Sequence, residues 1–73
     1  MTKTASAGDT VSWKWGEGRG SGKVIEVFTD KVTRRIKGSE ITRNASKDSP
    51  AYLIEQEDGD RVLKLDSEVT REN

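Results

Sequence analysis

Apolar and polar residues alternate with a period of two along much of this chain. Val11, Trp13 and Trp15 are separated by Ser12 and Lys14, the pattern of a strand with one buried face. Residues 16–22 follow, with four glycines in seven positions. That composition predicts an irregular loop with freedom for positive φ. A second strand is expected over residues 23–28. Its apolar residues Val24, Ile25, Val27 and Phe28 alternate imperfectly, and a bulge near Ile25 and Glu26 would turn both Val24 and Val27 inward.

Lys37 and Gly38 suit a two-residue hairpin turn. That turn sets Ile36 opposite Ser39, Arg34 opposite Ile41 and Val32 opposite Arg43 on one face. The other face is wholly polar, with Arg35 opposite Glu40 and Thr33 opposite Thr42. A slip of one residue would destroy this sorting. Residues 44–50 are rich in Asn, Ser, Asp and Pro and read as a loop. Two further strands are expected at residues 51–56 and 61–65, joined by Glu57, Asp58, Gly59 and Asp60. With that joint Gln56 faces Arg61, Ile54 faces Leu63 and Tyr52 faces Leu65, which gives an apolar face of Tyr52, Ile54, Leu63 and Leu65. Residues 66–69 suit a short helical turn, with Val69 capping the core.

The pattern as a whole predicts an all-β fold: a small barrel of the five-stranded SH3-like or Tudor-like type over residues 9–69. Residues 1–8 read as a disordered leader and residues 70–73 as a flexible tail. An OB-fold is the alternative, but residues 44–50 are too short and broken for the helix such a fold carries between its third and fourth strands.

Four segments resemble a known family. They are Gly-Asp-Thr-Val-Ser-Trp-Lys-Trp-Gly at 8–16, Val-Thr-Arg-Arg-Ile-Lys-Gly at 32–38, Thr-Arg-Asn at 42–44, and the run from Pro50 through Gln56 and Asp58 to Leu65. Together they are similar to the hypervirulence-associated Tudor-type domain, over about residues 8–69. The resemblance implies an SH3-like Tudor barrel. It implies no established activity and assigns no residue a role.

Composition narrows the chemistry. The 73 residues contain no cysteine and no histidine, which removes disulfides, thiolate metal sites and the commonest general base. The acids Glu55, Glu57, Asp58 and Asp60 surround a turn, where water would hold them as ordinary carboxylates, and their spacing does not match an EF-hand loop. No enzyme, cofactor or metal site is expected. No stretch approaches a membrane span and residues 1–8 lack an apolar signal core, so the reading is a cytoplasmic monomer without a membrane partner. The formal charge is zero, but residues 1–54 hold ten basic against six acidic side chains, and residues 55–73 hold three against seven.

Three groups of candidate binding residues emerge. Trp13 and Trp15 share a strand face, and Trp15 ends the strand where a barrel mouth would lie. Aromatic faces there could attract a methylated Lys or Arg, although residues 16–22 supply no further ring for a cage. Arg19, among the glycines, could sit beside an anion nest. Arg34, Arg35 and Arg43, with Lys31 and Lys37, form a basic hairpin over residues 31–43 that could hold phosphates. The expected function is a small binding module for a protein or peptide partner, with nucleic acid on that hairpin as the alternative.

Overall fold

A computed structural model of the chain describes residues 4–72. Seven strands and one short 3-10 turn make up the fold: β1 (Thr10–Trp15), β2 (Gly18–Phe28), β3 (Val32–Ile36), β4 (Ser39–Arg43), β5 (Ala51–Glu55), β6 (Arg61–Leu65), the 3-10 turn Asp66–Glu68, and β7 (Thr70–Arg71). They form a five-stranded sheet in the order β6-β5-β2-β1-β7 and a separate two-stranded hairpin of β3 and β4. The fold is therefore all-β, as its alternation requires. The strand count and the closure differ from expectation: hydrogen bonding leaves two sheets rather than one five-stranded closed ladder.

The five-stranded sheet must nevertheless curl. Its edge strands β6 and β7 are joined only by Asp66, Ser67, Glu68 and Val69, three of them in the 3-10 turn. A flat five-stranded sheet would separate its edges by roughly 19 Å. Four linking residues reach at most about 17 Å when fully extended, and less when coiled at about 2 Å per residue. Pro50 fixes the start of the return, its carbonyl accepting from the Asp66 N–H at 2.8 Å.

The glycine-rich stretch is the main local correction. Only Gly16 and Glu17 form the turn between β1 and β2, with Gly16 at φ 49°. From Gly18 onward the chain is strand, pairing Trp15 with Gly18, Trp13 with Gly20 and Val11 with Gly22. The glycines at 20 and 22 provide clearance. The indole of Trp13 crosses Gly20, and the Glu55 carbonyl and the Ile54 side chain crowd Gly22. β2 then skips a residue against β5, passing from Val24 opposite Ile54 to Glu26 opposite Leu53, so the bulge falls at Ile25 as expected. Val24 is buried at 1% exposure, but Val27 does not turn inward and remains 39% exposed.

The hairpin has the expected register throughout, from Val32 opposite Arg43 to Ile36 opposite Ser39. Lys37 at φ 52° and Gly38 at φ 79° both adopt the left-handed conformation that a type I′ turn requires.

The β5–β6 register is one residue away from expectation. Ile54 faces Val62, Leu53 faces Leu63 and Ala51 faces Leu65. The expected single apolar face is thus divided. Tyr52 and Ile54 join Ala5, Val11, Trp13 and Val24 in one core cluster. Ala51, Leu53 and Leu63 join Val32 in a second, covered by Phe28, Ile36 and Ile41. β5 lies between the two clusters, and its residues 51–54 are buried on both faces.

Both ends of the described chain engage the sheet. The Ala5 N–H donates to the Tyr52 hydroxyl at 2.9 Å, and the Gly8 N–H donates to the Val24 carbonyl at 2.8 Å. β7 pairs with β1 at Val11 and Ser12, and the Glu72 N–H donates to the Thr10 carbonyl at 2.8 Å. Residues 1–3 and 73, which fall in the expected leader and tail, lie outside the described residues. No described helix is long and apolar enough to cross a membrane.

Candidate binding surface

The two tryptophans have different surroundings despite sharing a strand face. Trp13 is 6% exposed and belongs to the first core cluster, with Lys64 Nζ 5.9 Å from its ring centroid. Trp15 is 61% exposed and lies over Gly18 at the end of the β1–β2 hairpin. The other two aromatic residues do not join it: Tyr52 is fully buried, and Phe28 lies beneath the Arg34 guanidinium at 4.7 Å. A cage of several rings is therefore not assembled around Trp15.

What lies beside Trp15 is an open sheet edge. β2 pairs with β5 only from Lys23 onward, so Gly18 through Gly22 have β1 on one side and no strand of the described residues on the other. Val24 directs its N–H and C=O toward Gly8 and Asp9, on the β1 side. Backbone polar groups alternate sides along a strand. Gly18, Gly20 and Gly22 therefore also point toward β1, and Arg19 and Ser21 point their N–H and C=O toward the open edge. Gln56, the next residue along, uses its own backbone in the β5–β6 turn, bonding Gly59 and Asp60. A groove of about 360 Å3 runs here between Trp15, Gly20 and Ser21 on one side and Gln56, Glu57 and Asp58 on the other.

Arg19 is tied down at the margin of this groove. Its Nη2 donates to Ser12 Oγ at 2.6 Å, and that hydroxyl donates to Glu72 Oε2 at 2.6 Å. Arg19 and Glu72 also form an ion pair at 3.6 Å. The arrangement anchors the chain end that follows β7 and partly neutralises Arg19.

The cations of the hairpin are distributed differently from one another. Arg43 pairs with Glu68 at 3.7 Å. Lys37 reaches Asp60 at 2.6 Å and so joins the hairpin tip to the β5–β6 turn. The hydrogen bond to Asp60, reinforced by its charge, raises the Lys37 ammonium above its ordinary 10.5. Arg34 lies on Phe28 and donates from Nη1 to the Thr33 carbonyl at 3.0 Å. Arg34 and Arg35 both border a cleft of about 390 Å3 between the hairpin and the sheet. Arg61, Glu26 and Asp60 lie on the same cleft, and none of these was singled out as a site residue by sequence reasoning. The signal that could have found them was the cluster of charges around the β5–β6 turn, which read simply as a solvated loop.

Among the described residues no group of three or more acidic side chains is arranged to hold a metal ion. An all-β domain with an open strand edge and shallow surface depressions has the form of a small binding module. The family model for the Tudor domain of hypervirulence-associated proteins matches residues 8–69, and the chain belongs to that family. No curated protein and no solved structure matches it.

Proposed function

We propose that this domain is a non-enzymatic module that binds an extended segment of a protein partner by strand addition along β2, with Trp15 as the anchor. The observation that carries this reading is the exposure of Trp15 beside the unpaired backbone of Arg19 and Ser21. Strand addition draws affinity from main-chain hydrogen bonds and specificity from pockets for alternate side chains. Glu57 and Asp58 across the groove favour a Lys or Arg in the added strand, and the Trp15 ring face offers the same residue a cation–π contact. The reading takes the curled sheet and its hairpin as an SH3-like Tudor barrel.

Nucleic acid on residues 31–43 is the second reading, supported by Arg34 and Arg35 at one cleft. The acids that engage Lys37 and Arg43 weaken it, because paired cations contribute less to phosphate attraction.

Amide-shift titration of the full chain distinguishes the two. The probes are a short capped peptide alternating Lys and Val, and a single-stranded oligonucleotide. Saturable shifts at Arg19, Ser21 and the Trp15 indole with the peptide, lost in Trp15→Ala, are expected. Silence at the β2 edge with shifts over residues 31–43 on adding oligonucleotide would overturn the strand-addition reading.

A further inference from the structure

We infer that the cleft between the β3–β4 hairpin and the β5–β6 turn is a separate binding site for a peptide segment that places a carboxylate next to an apolar side chain. It does not depend on the β2 edge, and a partner could occupy it whether or not a strand adds there.

The argument rests on how the two arginines of β3 are held. The Arg34 guanidinium sits over the Phe28 ring, and among the described residues only its Nη1 has an acceptor, the Thr33 carbonyl. A guanidinium stacked in this way is oriented in advance and presents its N–H edge at little further loss of freedom. Arg35 has no ion pair or side-chain hydrogen bond among the described residues, although Glu40 stands opposite it on β4. Arg61 stands at the same cleft, and its pairing with Glu55 is long, at 3.6 Å, and solvent-exposed. Such a pair contributes little and yields readily to a better acceptor. Arg34, Arg35 and Arg61 thus line one depression, and they have donor capacity to spare; planar N–H forks match carboxylate oxygens two at a time.

The remainder of the cleft sets the kind of anion. Ile36 and Leu53 form an apolar portion that an aliphatic side chain could cover. Lys37 and Asp60 line the cleft as an ion pair, so that cation is already engaged. Glu26 and Asp60 are also present, and they oppose a polyanion much more than a single carboxylate. A volume of about 390 Å3 accommodates a few side chains and not a duplex. These features favour an acidic and apolar peptide over a phosphodiester chain.

The test is an amide-shift titration of the full chain with four probes: a capped peptide alternating Glu and Leu, its Gln counterpart, inorganic phosphate and a single-stranded oligonucleotide. Saturable shifts over residues 34–37 and 59–61 are expected with the Glu peptide. Affinity should fall about tenfold with the Gln counterpart and in Arg35→Gln, the loss of one charge-assisted pairing. Arg61→Gln should weaken binding on the opposite wall, and Trp15→Ala should leave it unchanged. Equal binding of the Glu and Gln peptides would overturn the proposal. So would tighter binding of phosphate or oligonucleotide at the same amides, or no shift at all with the Glu peptide.

Discussion

The indole of Trp13 lies so close over Gly20 that a Cβ on the glycine would stand 2.7 Å from the ring. That contact explains why a glycine-rich run can be a strand, since the absent side chain leaves room for the tryptophan of the neighbouring strand. Gly20→Ala should therefore displace Trp13 from the first core cluster and destabilise the fold by about 1–3 kcal/mol. Chemical denaturation checks the magnitude. An unchanged midpoint would show that the ring can move aside freely.

Tyr52 ties the start of the described chain and the 3-10 turn to the core. Its hydroxyl accepts from the Ala5 N–H and donates to Asp66 Oδ1 at 2.7 Å. Tyr52→Phe would leave the Ala5 donor and the Asp66 acceptor without this partner, and should destabilise the fold by about 2 kcal/mol. Denaturation of the variant at neutral pH is the check.

The same hydroxyl sets an alkaline limit. Burial, followed by the hydrogen bond to Asp66, pushes the Tyr52 phenol up to about 12 from 10.0. Below 10 the phenol is protonated in both folded and unfolded chains and contributes no pH dependence. Between 10 and 12 the folded chain retains a proton that the unfolded chain has released, so stability falls as pH rises through this window. Tyrosinate absorbance should thus appear later than for a free tyrosine, and should coincide with loss of structure.

Lys37 and Asp60 fasten the hairpin tip to the β5–β6 turn. The raised Lys37 value means the fastening is complete below 10.5 and is lost as pH rises through the folded-state value. Asp60→Asn should bring Lys37 back toward 10.5 and speed amide exchange at Gly38 and Ser39 at neutral pH. NMR of the Lys37 side chain during titration would reveal the shift. Identical titrations for the parent and Asp60→Asn would rule out the fastening.

Trp15 and Trp13 should respond oppositely to truncation. Trp15→Ala removes a side chain that is 61% exposed, and should change stability by no more than about 0.5 kcal/mol. Trp13→Ala removes a core ring and should cost about 3–5 kcal/mol. Parallel denaturation of the two variants tests the assignment of one to the surface and the other to the core.

The candidate surface was only half legible in the chain. Alternation put Trp13 and Trp15 on one face correctly, but it carries no information about where along β1 the cover ends. Trp13 belongs to the first cluster, while Trp15, the last residue before the hairpin turn, lies over Gly18 outside it. The cleft at Arg34 and Arg35 also needs Arg61 and Asp60 from a distant turn, which no local spacing announces.

The sequence by itself determined what local chemistry determines. Alternation located the strands other than β7 and the glycine-rich start of β2. Lys37 and Gly38 fixed a type I′ hairpin and hence every pairing from Val32 with Arg43 to Ile36 with Ser39, because one hairpin face is polar throughout and any slip would expose the other. The tertiary structure decided the rest. Period two specifies register only when one face is wet, and β5 is buried on both, so Ile54 could meet Val62 as readily as Leu63. The glycines likewise could not be read as strand until the ring of Trp13 was placed across Gly20. Composition reports the missing side chain, and only packing reveals what occupies its space.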